Sequence, residues 1–462
     1  MGHSYKTNKE RYEQFCLGKA QFRHQDGFEP THANDFLFDF QKYLVDWACM
    51  KGRAAIFADC GMGKTAMLLA FADQVIRKEN KPVLVVTPLA VGAQTVSEAD
   101  KFEIKAKRTK DGFFDGERCV WVTNYEQLDK YDSSLFAGVI CDESSAIKDF
   151  KSQRKDIVVE FMRKVKYRLL CTATAAPNDF WELGTSSEAL GLLGFRDMIT
   201  TFFKQETSKD HHGWGRTKYR FRGHAQSPFW AWVCSWARSI QKPQDLGFDG
   251  SRFELPLLNE IEYIVKAKTA RDGWLFDLGA ADMREEREER RRTISERVEK
   301  AAELVKTKGQ SIIWCELNDE GKALSQAIPN SVEVHGGMTD EAKEQSLIGF
   351  ANGTIQNLII KPKIGAWGLN FQNCNNVIIF PSHSFEQYYQ AVRRCWRFGQ
   401  TRQVDVHIIA TEGQSGILKN LKRKQFQVNT MFKELVSHMR DSMHLITNDF
   451  FPETERVPKW LS

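Results

Sequence analysis

The chain of 462 residues contains no uninterrupted apolar run long enough to cross a bilayer, and its start, Met1-Gly2-His3-Ser4-Tyr5-Lys6, offers neither a signal-peptide core nor the Ser/Thr of an acylation signal. A membrane protein is excluded on that reading, and a cytoplasmic location is expected. The ten cysteines are scattered, without one C-x-x-C pair. Zinc-ligand spacing is therefore missing, and Cys141, Cys171 and Cys315, each inside a short apolar run, read as reduced core thiols. An excess of one charge is missing too: 65 Lys and Arg against 60 Asp and Glu leave +5. So weak an overall field cannot recruit nucleic acid, and any such surface must come from local clustering. Internal repeats and low-complexity tracts are absent as well.

What is present is a soluble globular composition, 42% hydrophobic and 27% charged, in a chain longer than one hydrophobic core usually serves. Short β-branched or apolar runs alternate with longer amphipathic stretches, the pattern of parallel sheets with crossover helices, and the fold class expected is α/β. The first half offers strands at 54–58, 83–87, 119–123, 139–141 and 168–172; the second, at 311–315, 332–335, 357–361, 376–380 and 404–410. Two sheets follow, with boundaries expected at 1–193, 194–283 and 284–462. Within the middle segment, an arm at about Gly194 to Phe253 followed by a linker, Trp214, Arg216, Lys218, Tyr219, Arg220, Phe221 and Arg222 precede a Phe229, Trp230, Trp232, Trp236 run, and the arm reads as belonging to neither sheet. Cations beside flat rings suit single-strand stacking at 214–222, whereas the tryptophan run at helical spacing suits packing between lobes. Arg284 to Arg292 reads R-E-E-R-E-E-R-R-R, with opposite charges at i,i+4, and is expected as a solvated helix.

Ala58-Asp59-Cys60-Gly61-Met62-Gly63-Lys64-Thr65 follows the first strand and precedes the apolar helix start Ala66 to Ala70. Strand, glycine-rich loop, Lys-Thr and helix form a phosphate cradle: Gly61 and Gly63 let backbone N–H groups close on phosphate oxygens, Lys64 reaches the β/γ-phosphates and Thr65 holds Mg²⁺. Ala58 stands where the general pattern has its first glycine. Asp142-Glu143 ends a buried strand, where Asp142 can complete a Mg²⁺ shell and Glu143 can orient or deprotonate water. Taken alone, such a pair is as readily a helix N-cap with a first-turn acid. No further cluster of metal-binding carboxylates appears, so a nuclease is not suggested.

With these residues in hand the chain resembles helicase superfamily 2, the DEAD/DEAH-type motors, and within it the Swi/Snf-like branch, in a compact form like that of phage-encoded members. Phe40-Gln41-Lys42-Tyr43 is similar to the adenine-reading glutamine segment, Val83 to Leu89 to the strand and turn that touch the nucleic-acid backbone, and Asp142-Glu143-Ser144-Ser145-Ala146-Ile147-Lys148 to the Asp-Glu-Ala-His-x-Ile-Lys signature. Arg168 to Ala175 resembles the threonine-rich segment linking hydrolysis to movement. In the second half His335-Gly336-Gly337-Met338-Thr339, Gly365 to Asn370, and Gln390 to Gln400 match in order. The last, Q-x-x-x-R-x-x-R-x-G-Q, supplies arginine fingers in the family, and the spacing of Arg394 and Arg397 reads as one face of a helix.

The resemblance implies two RecA-like parallel-sheet lobes with an insertion between them, ATP and Mg²⁺ as cofactors, and movement along DNA. Duplex is favoured, single strands are a second substrate and RNA a lesser one, with partners among replication, recombination or packaging proteins. It further implies ATP contacts from Gln41, Met62, Gly368 and Gln390; coupling by Thr172 and Thr174; and phosphate-backbone contacts from Thr87, Pro88, Thr123, Asn124, Lys148, His335, Gly336, Lys361 and Lys363. Departures are Arg393 and Trp396, where an acid and a histidine are common, Lys361-Pro362-Lys363 in place of a hydroxyl-rich segment, and Ser144-Ser145 in place of Ala-His. A strand-separating helicase would need a wedge, which the aromatic arm could supply. A reading from another class is a nucleotide-gated DNA-binding or protein-docking module with little turnover.

Overall fold

Runs such as Val83-Leu84-Val85-Val86-Thr87 are buried along their whole length, as strands covered by helices on both faces must be. In the computed structural model, which describes residues 26–31, 34–89, 91–209, 215–267, 283–306, 309–362, 364 and 370–443, these runs assemble into two units. The first comprises Met1–Gly250 with Val428–Ser462, and the second Ser251–Gln427.

In the first unit, β1 (Arg53–Ala58), β2 (Val83–Thr87), β3 (Ala106–Arg108), β4 (Val120–Asn124), β5 (Gly138–Asp142) and β6 (Tyr167–Cys171) pair in parallel. A hairpin, β7 (Phe203–Lys209) and β8 (Gly215–Phe221), stands apart from that sheet. After it, β9 (Ala237–Ile240) returns to pair with β1, and the sheet order is β3-β4-β2-β5-β6-β1-β9. β6 thus lies between β1 and β5, so the loops leaving all three emerge side by side at the carboxyl edge, where open parallel sheets bind ligands.

The second unit repeats the principle with β10 (Leu258–Val265), β11 (Ser311–Trp314), β12 (Ser331–Val334), β13 (Asn357–Ile360), β14 (Asn376–Ile379) and β15 (Val404–Thr411), in the order β10-β15-β14-β11-β13-β12, all parallel. Ile313, Ile359, Ile378 and Ile409, one from each central strand, meet Val298, Ala301 and Leu324 of the flanking helices in its core. Arg297 and Glu320 cross that helix layer as a fully buried ion pair at 2.6 Å, and Glu320 also accepts from the Glu316 and Leu317 amides.

Three expectations need correction. The arm at 194–253 is not outside both sheets, because β9 within it extends the first. The rings of Phe229, Trp230, Trp232 and Trp236 on helix Gln226–Trp236 are buried inside the first unit, against Phe57, Phe202 and Phe203 rather than between lobes. Each such ring gains about 2–3 kcal/mol by leaving water, which commits them to the core and withdraws them from bases. The charged helix Met283–Arg292 forms, but Glu289 within it is buried and pairs with Arg292 at 2.6 Å, so it is not solvated all round. Trp214 lies outside the described residues. All nine described cysteines are free, and only Cys60 is more than slightly exposed. Among the described residues no helix is long and apolar enough to cross a membrane, and no cluster of His, Cys, Asp and Glu is arranged to hold a metal ion.

Candidate nucleotide site

Gly61 (φ +90°) and Gly63 (φ +76°) take the left-handed conformation that closes the loop after β1. Space enforces glycine at 63 as well: a Cβ there would lie 2.2 Å from Gln41 Nε2. The Gln41 amide in turn donates to Met62 O at 2.9 Å and accepts from Phe38 N at 3.0 Å, so the buried glutamine ties the entry of helix Asp39–Lys51 to the loop. Helix Lys64–Glu79 starts at Gly63 with no side-chain cap and no acid in its first turn. Helices starting after Ser152, Thr339 and Ser384 are all capped by a hydroxyl. An uncapped N-terminus presents unpaired amides and the positive end of the helix dipole.

Lys64 Nζ donates to Ala58 O at 3.1 Å. Burial alone would lower its pKa, but Cys60, Glu143 and Asp142 around it outweigh that and hold the ammonium above its ordinary value. Asp142 at the end of β5 is 5% exposed. Burial first, then the neighbouring Glu143, push its carboxyl up to about 7 against the pull of Lys64. Its Oδ1 accepts from Glu143 N at 3.0 Å, while Tyr125, a buried residue that the sequence reading passed over, donates its hydroxyl to Asp142 O at 2.7 Å. Only the adjacency of Tyr125 to Asn124 could have signalled it.

Glu143 itself has φ +49°, ψ 52°, an unusual conformation for a side chain with a Cβ, which turns the chain sharply out of the strand. Thr172, just past the end of β6, donates its hydroxyl to Glu143 Oε2 at 3.3 Å and accepts from Thr174 N at 3.1 Å. The N-cap alternative for the acid pair is not what the structure contains: no helix amide is capped by the Glu143 side chain. Ser144 and Ser145 are buried behind it.

The uncapped helix amides and the pushed-up carboxyl of Asp142 both suit a magnesium-bound triphosphate. Backbone amides at a helix N-terminus attract phosphate oxygens, and a divalent cation would stabilise the ionised Asp142. Lys64, Thr65 and the Gly61–Gly63 backbone would hold such a group, with Thr65 and Asp142 toward the metal.

At the far side of the same sheet edge, Thr87 pairs with Asn124 in register, and Thr87 Oγ1 donates to Pro88 O at 3.0 Å and lies 3.4 Å from Thr123 O. Thr123 contacts Tyr131 Oη, and Asn124 caps the turn Tyr125–Lys130. Lys148 follows the turn that begins at Ser144 and is half-buried. In the second unit His335 and Gly336 occupy an exposed loop after β12, with His335 Nδ1 accepting from Gly337 N at 3.3 Å, and Lys361 bonds to Asn318. Lys363 and Gly368 lie outside the described residues.

The finger segment differs from its expected form. Helix Phe385–Cys395 carries Gln390 and Arg394 but stops at Cys395, so Arg397 is not on a helix face. A turn closes there, with Gln400 N donating to Arg397 O and Gly399 at φ +90°. The Gln400 amide donates to Cys374 O and Cys395 O, and Arg397 Nη1 bonds to Asn370. Arg393 is buried behind the pair, over the Trp396 ring at 4.4 Å, and burial followed by the Arg397 charge lowers its pKa to about 9. The departures Arg393 and Trp396 therefore stack on one another.

Two family descriptions match this chain in order. One, "Type III restriction enzyme, res subunit", covers residues 37–177, and the other, "Helicase conserved C-terminal domain", covers residues 296–399. The chain belongs to helicase superfamily 2. Its sheets are the two RecA-like lobes of that superfamily, and helicase-type ATPases use ATP, normally with Mg²⁺. The chain is 28% identical over 193 residues to the DNA annealing helicase and endonuclease ZRANB3 of Mus musculus, across 38% of its own length and 18% of that protein. It is 24% identical to protein p41 of Acyrthosiphon pisum secondary endosymbiont phage 1, across 86% of this chain and 97% of that one. Among solved structures, the helicase MrfA bound to DNA and AMPPNP shares the fold (TM-score 0.54, 12% identity) over 84% of this chain and 50% of its own. Dbp5 of S. cerevisiae bound to RNA and ADP BeF3 does so over 86% and 93% (TM-score 0.52, 13% identity). The chain thus spans less than a fifth of the mouse protein and half of MrfA.

Proposed function

We propose that this helicase-family protein is an ATP-dependent DNA translocase or helicase, with tracking along duplex favoured over strand separation. The observation that carries the reading is the hydrogen bond from Thr172 to Glu143 at 3.3 Å. It links the carboxylate best placed to act on water to the segment that leaves β6, so a change at the γ-phosphate is felt by the chain beyond it. Glu143 orients the attacking water and takes its proton, Lys64 offsets charge on the phosphoryl oxygens, and Arg394 and Arg397 supply further positive charge when ATP is engaged. Thr65 and Asp142 would hold Mg²⁺, and Gln41, Met62, Gly368 and Gln390 would complete the nucleotide contacts.

Thr172 and Thr174 pass the hydrolysis state on. Pro88, Asn124, Lys148, His335, Gly336, Lys361 and Lys363 grip phosphates without reading sequence, while Thr87 and Thr123, buried with their hydroxyls in internal hydrogen bonds, shape the turns beside them rather than touching the backbone. The DNA named in the description of the mouse relative supports that substrate. Likeness to the phage protein supports action in a bacterial host cytoplasm; partners among replication, recombination or packaging proteins belong to the same proposal.

The buried Ser144-Ser145 pair, where Ala-His is usual, favours one second reading, a nucleotide-gated docking module with little turnover. ATP hydrolysis measured without nucleic acid and with single-stranded DNA, duplex DNA or RNA, each beside Lys64→Ala, separates the two. Stimulation by duplex supports the translocase and stimulation by single strands alone the strand-separating helicase. No stimulation by any polymer supports the gated module.

A further inference from the structure

The β7–β8 hairpin takes no part in the nucleotide site and pairs with neither sheet. Residues 203–222 carry six lysines and arginines against Glu206 and Asp210, a local +4 in a chain whose whole excess is +5. That charge is ordered by register. Lys204 stands opposite Arg220, Glu206 opposite Lys218 and Ser208 opposite Arg216, and directly opposed residues of an antiparallel pair share a face.

Where side chains are described, the two faces differ sharply. Phe203, Tyr219 and Phe221 pack inward, with the Phe203–Phe221 rings at 4.6 Å, Phe221 against Phe229 at 5.2 Å and Tyr219 against Trp181 at 5.6 Å. Lys204 and Arg220 remain 56% and 68% exposed and share Glu206, at 3.1 and 3.0 Å. An isolated two-stranded hairpin is marginal in water; this one is held at its base by that aromatic cluster and by Arg222, which donates from Nε to Phe203 O at 2.8 Å.

We infer that the Lys204–Arg220–Lys218–Arg216 row is a second nucleic-acid contact, a grip on the phosphate backbone of duplex DNA. The inference rests on the motor reading above and adds a partner surface to it. Side chains on one face of a strand recur about every 6.8 Å, which matches two base steps at about 3.4 Å each. Cations placed on one strand face with that repeat can follow a phosphate track, and their charges carry no sequence readout. The packed inward aromatics leave this face a grip rather than a wedge between bases. Its base also rests on Phe180 and Trp181, on the same chain segment as Thr172 and Thr174, so the grip is anchored to the part of the lobe that contacts Glu143.

The test is the salt dependence of duplex binding by the full chain, read by fluorescence anisotropy with a labelled 30-base-pair duplex. The triple variant Arg216→Ala/Lys218→Ala/Arg220→Ala should make the log–log slope shallower by about 2 to 3, near 0.9 per lost phosphate contact. Glu206→Gln should do the opposite and tighten binding, a gain that damaged folding cannot produce. Unchanged affinity and slope in both variants, with wild-type ATP turnover stimulated by DNA, would overturn the grip and leave the motor reading standing. Wild-type protein that neither binds nor responds to DNA would overturn both. Labelled polyglutamate is the second probe: loss of its binding by the triple variant, with duplex binding intact, would also overturn the inference and point to an acidic protein partner.

Discussion

Replacing Thr172 with valine keeps the shape of a fully buried side chain and removes only its hydroxyl, so it isolates the contact on which the motor reading turns. Two groups lose a partner. Thr174 N–H, in a residue with no exposure, cannot recruit water, and leaving it unsatisfied should cost about 1–3 kcal/mol of stability. Glu143 is partly exposed and can be rehydrated, but its orientation is no longer set by the 3.3 Å bond. A hydrogen bond to a charged group contributes about 1.5–3 kcal/mol, and at this length the lower figure applies, which amounts to about a tenfold fall in kcat. KM for ATP should stay nearly constant, since Lys64 and the glycine loop are untouched. Steady-state ATP turnover at saturating DNA, with urea unfolding in parallel, reads both effects, and Thr172→Ser should restore both. Turnover of Thr172→Val within twofold of wild type would refute the argument.

Three further outcomes are expected. Glu143→Gln should retain a fluorescent ATP analogue while turnover falls by about a hundredfold or more; an active variant would assign water activation elsewhere. Without nucleotide, thermal stability should decline between pH 4 and pH 7. Burial raises both Asp142 and Glu182 to about 7, so the unfolded chain releases those protons first, and the stability they contribute, complete below about pH 4, is lost as pH approaches 7. Asp142→Asn should flatten part of that decline, and a melting temperature that rises over the interval would contradict it. Glu320→Gln leaves the 1%-exposed Arg297 charge without its counterion and should destabilise the second unit by about 3–5 kcal/mol in urea; a loss below about 1 kcal/mol would show that water reaches the pair.

The fold was legible wherever burial is two-sided. Val83–Thr87 is a strand with the ends the sequence indicates, and each central strand of both sheets lies within a residue or two of its apolar run. Legibility faded at the edges. β10 alternates half-buried and exposed positions and so reads as polar, while β9 is four residues long and contains Arg238, buried with its guanidinium 4.4 Å over Trp47 and donating to the carbonyls of Cys234 and Ala237. In the nucleotide site, glycines, Lys64 and the acid pair declare themselves by local chemistry, and the parallel order then brings them to one sheet edge. Arg397 misled because a spacing of three implies a helix face only while the helix continues. Gln400, read as part of a family signature, spends its amide on the carbonyls of Cys374 and Cys395 and helps to end it. Tyr125 was unreadable because its partner is a backbone carbonyl, which no residue pattern encodes.

The return of the chain to its first unit sets a clock on synthesis. β9 is the edge strand of that sheet, and what covers it arrives about two hundred residues later: Met439 Sδ accepts from Ser239 N at 3.2 Å, Cys234 meets Leu435 O, and Arg440 donates to Gln244 O at 2.8 Å. At roughly 5–20 residues per second of translation, the ribosome leaves this edge bare for about 10–40 s. Unpaired strand edges recruit other chains during such intervals. A fragment ending at Gly250 would never close the edge at all, so it should aggregate where the full-length chain does not.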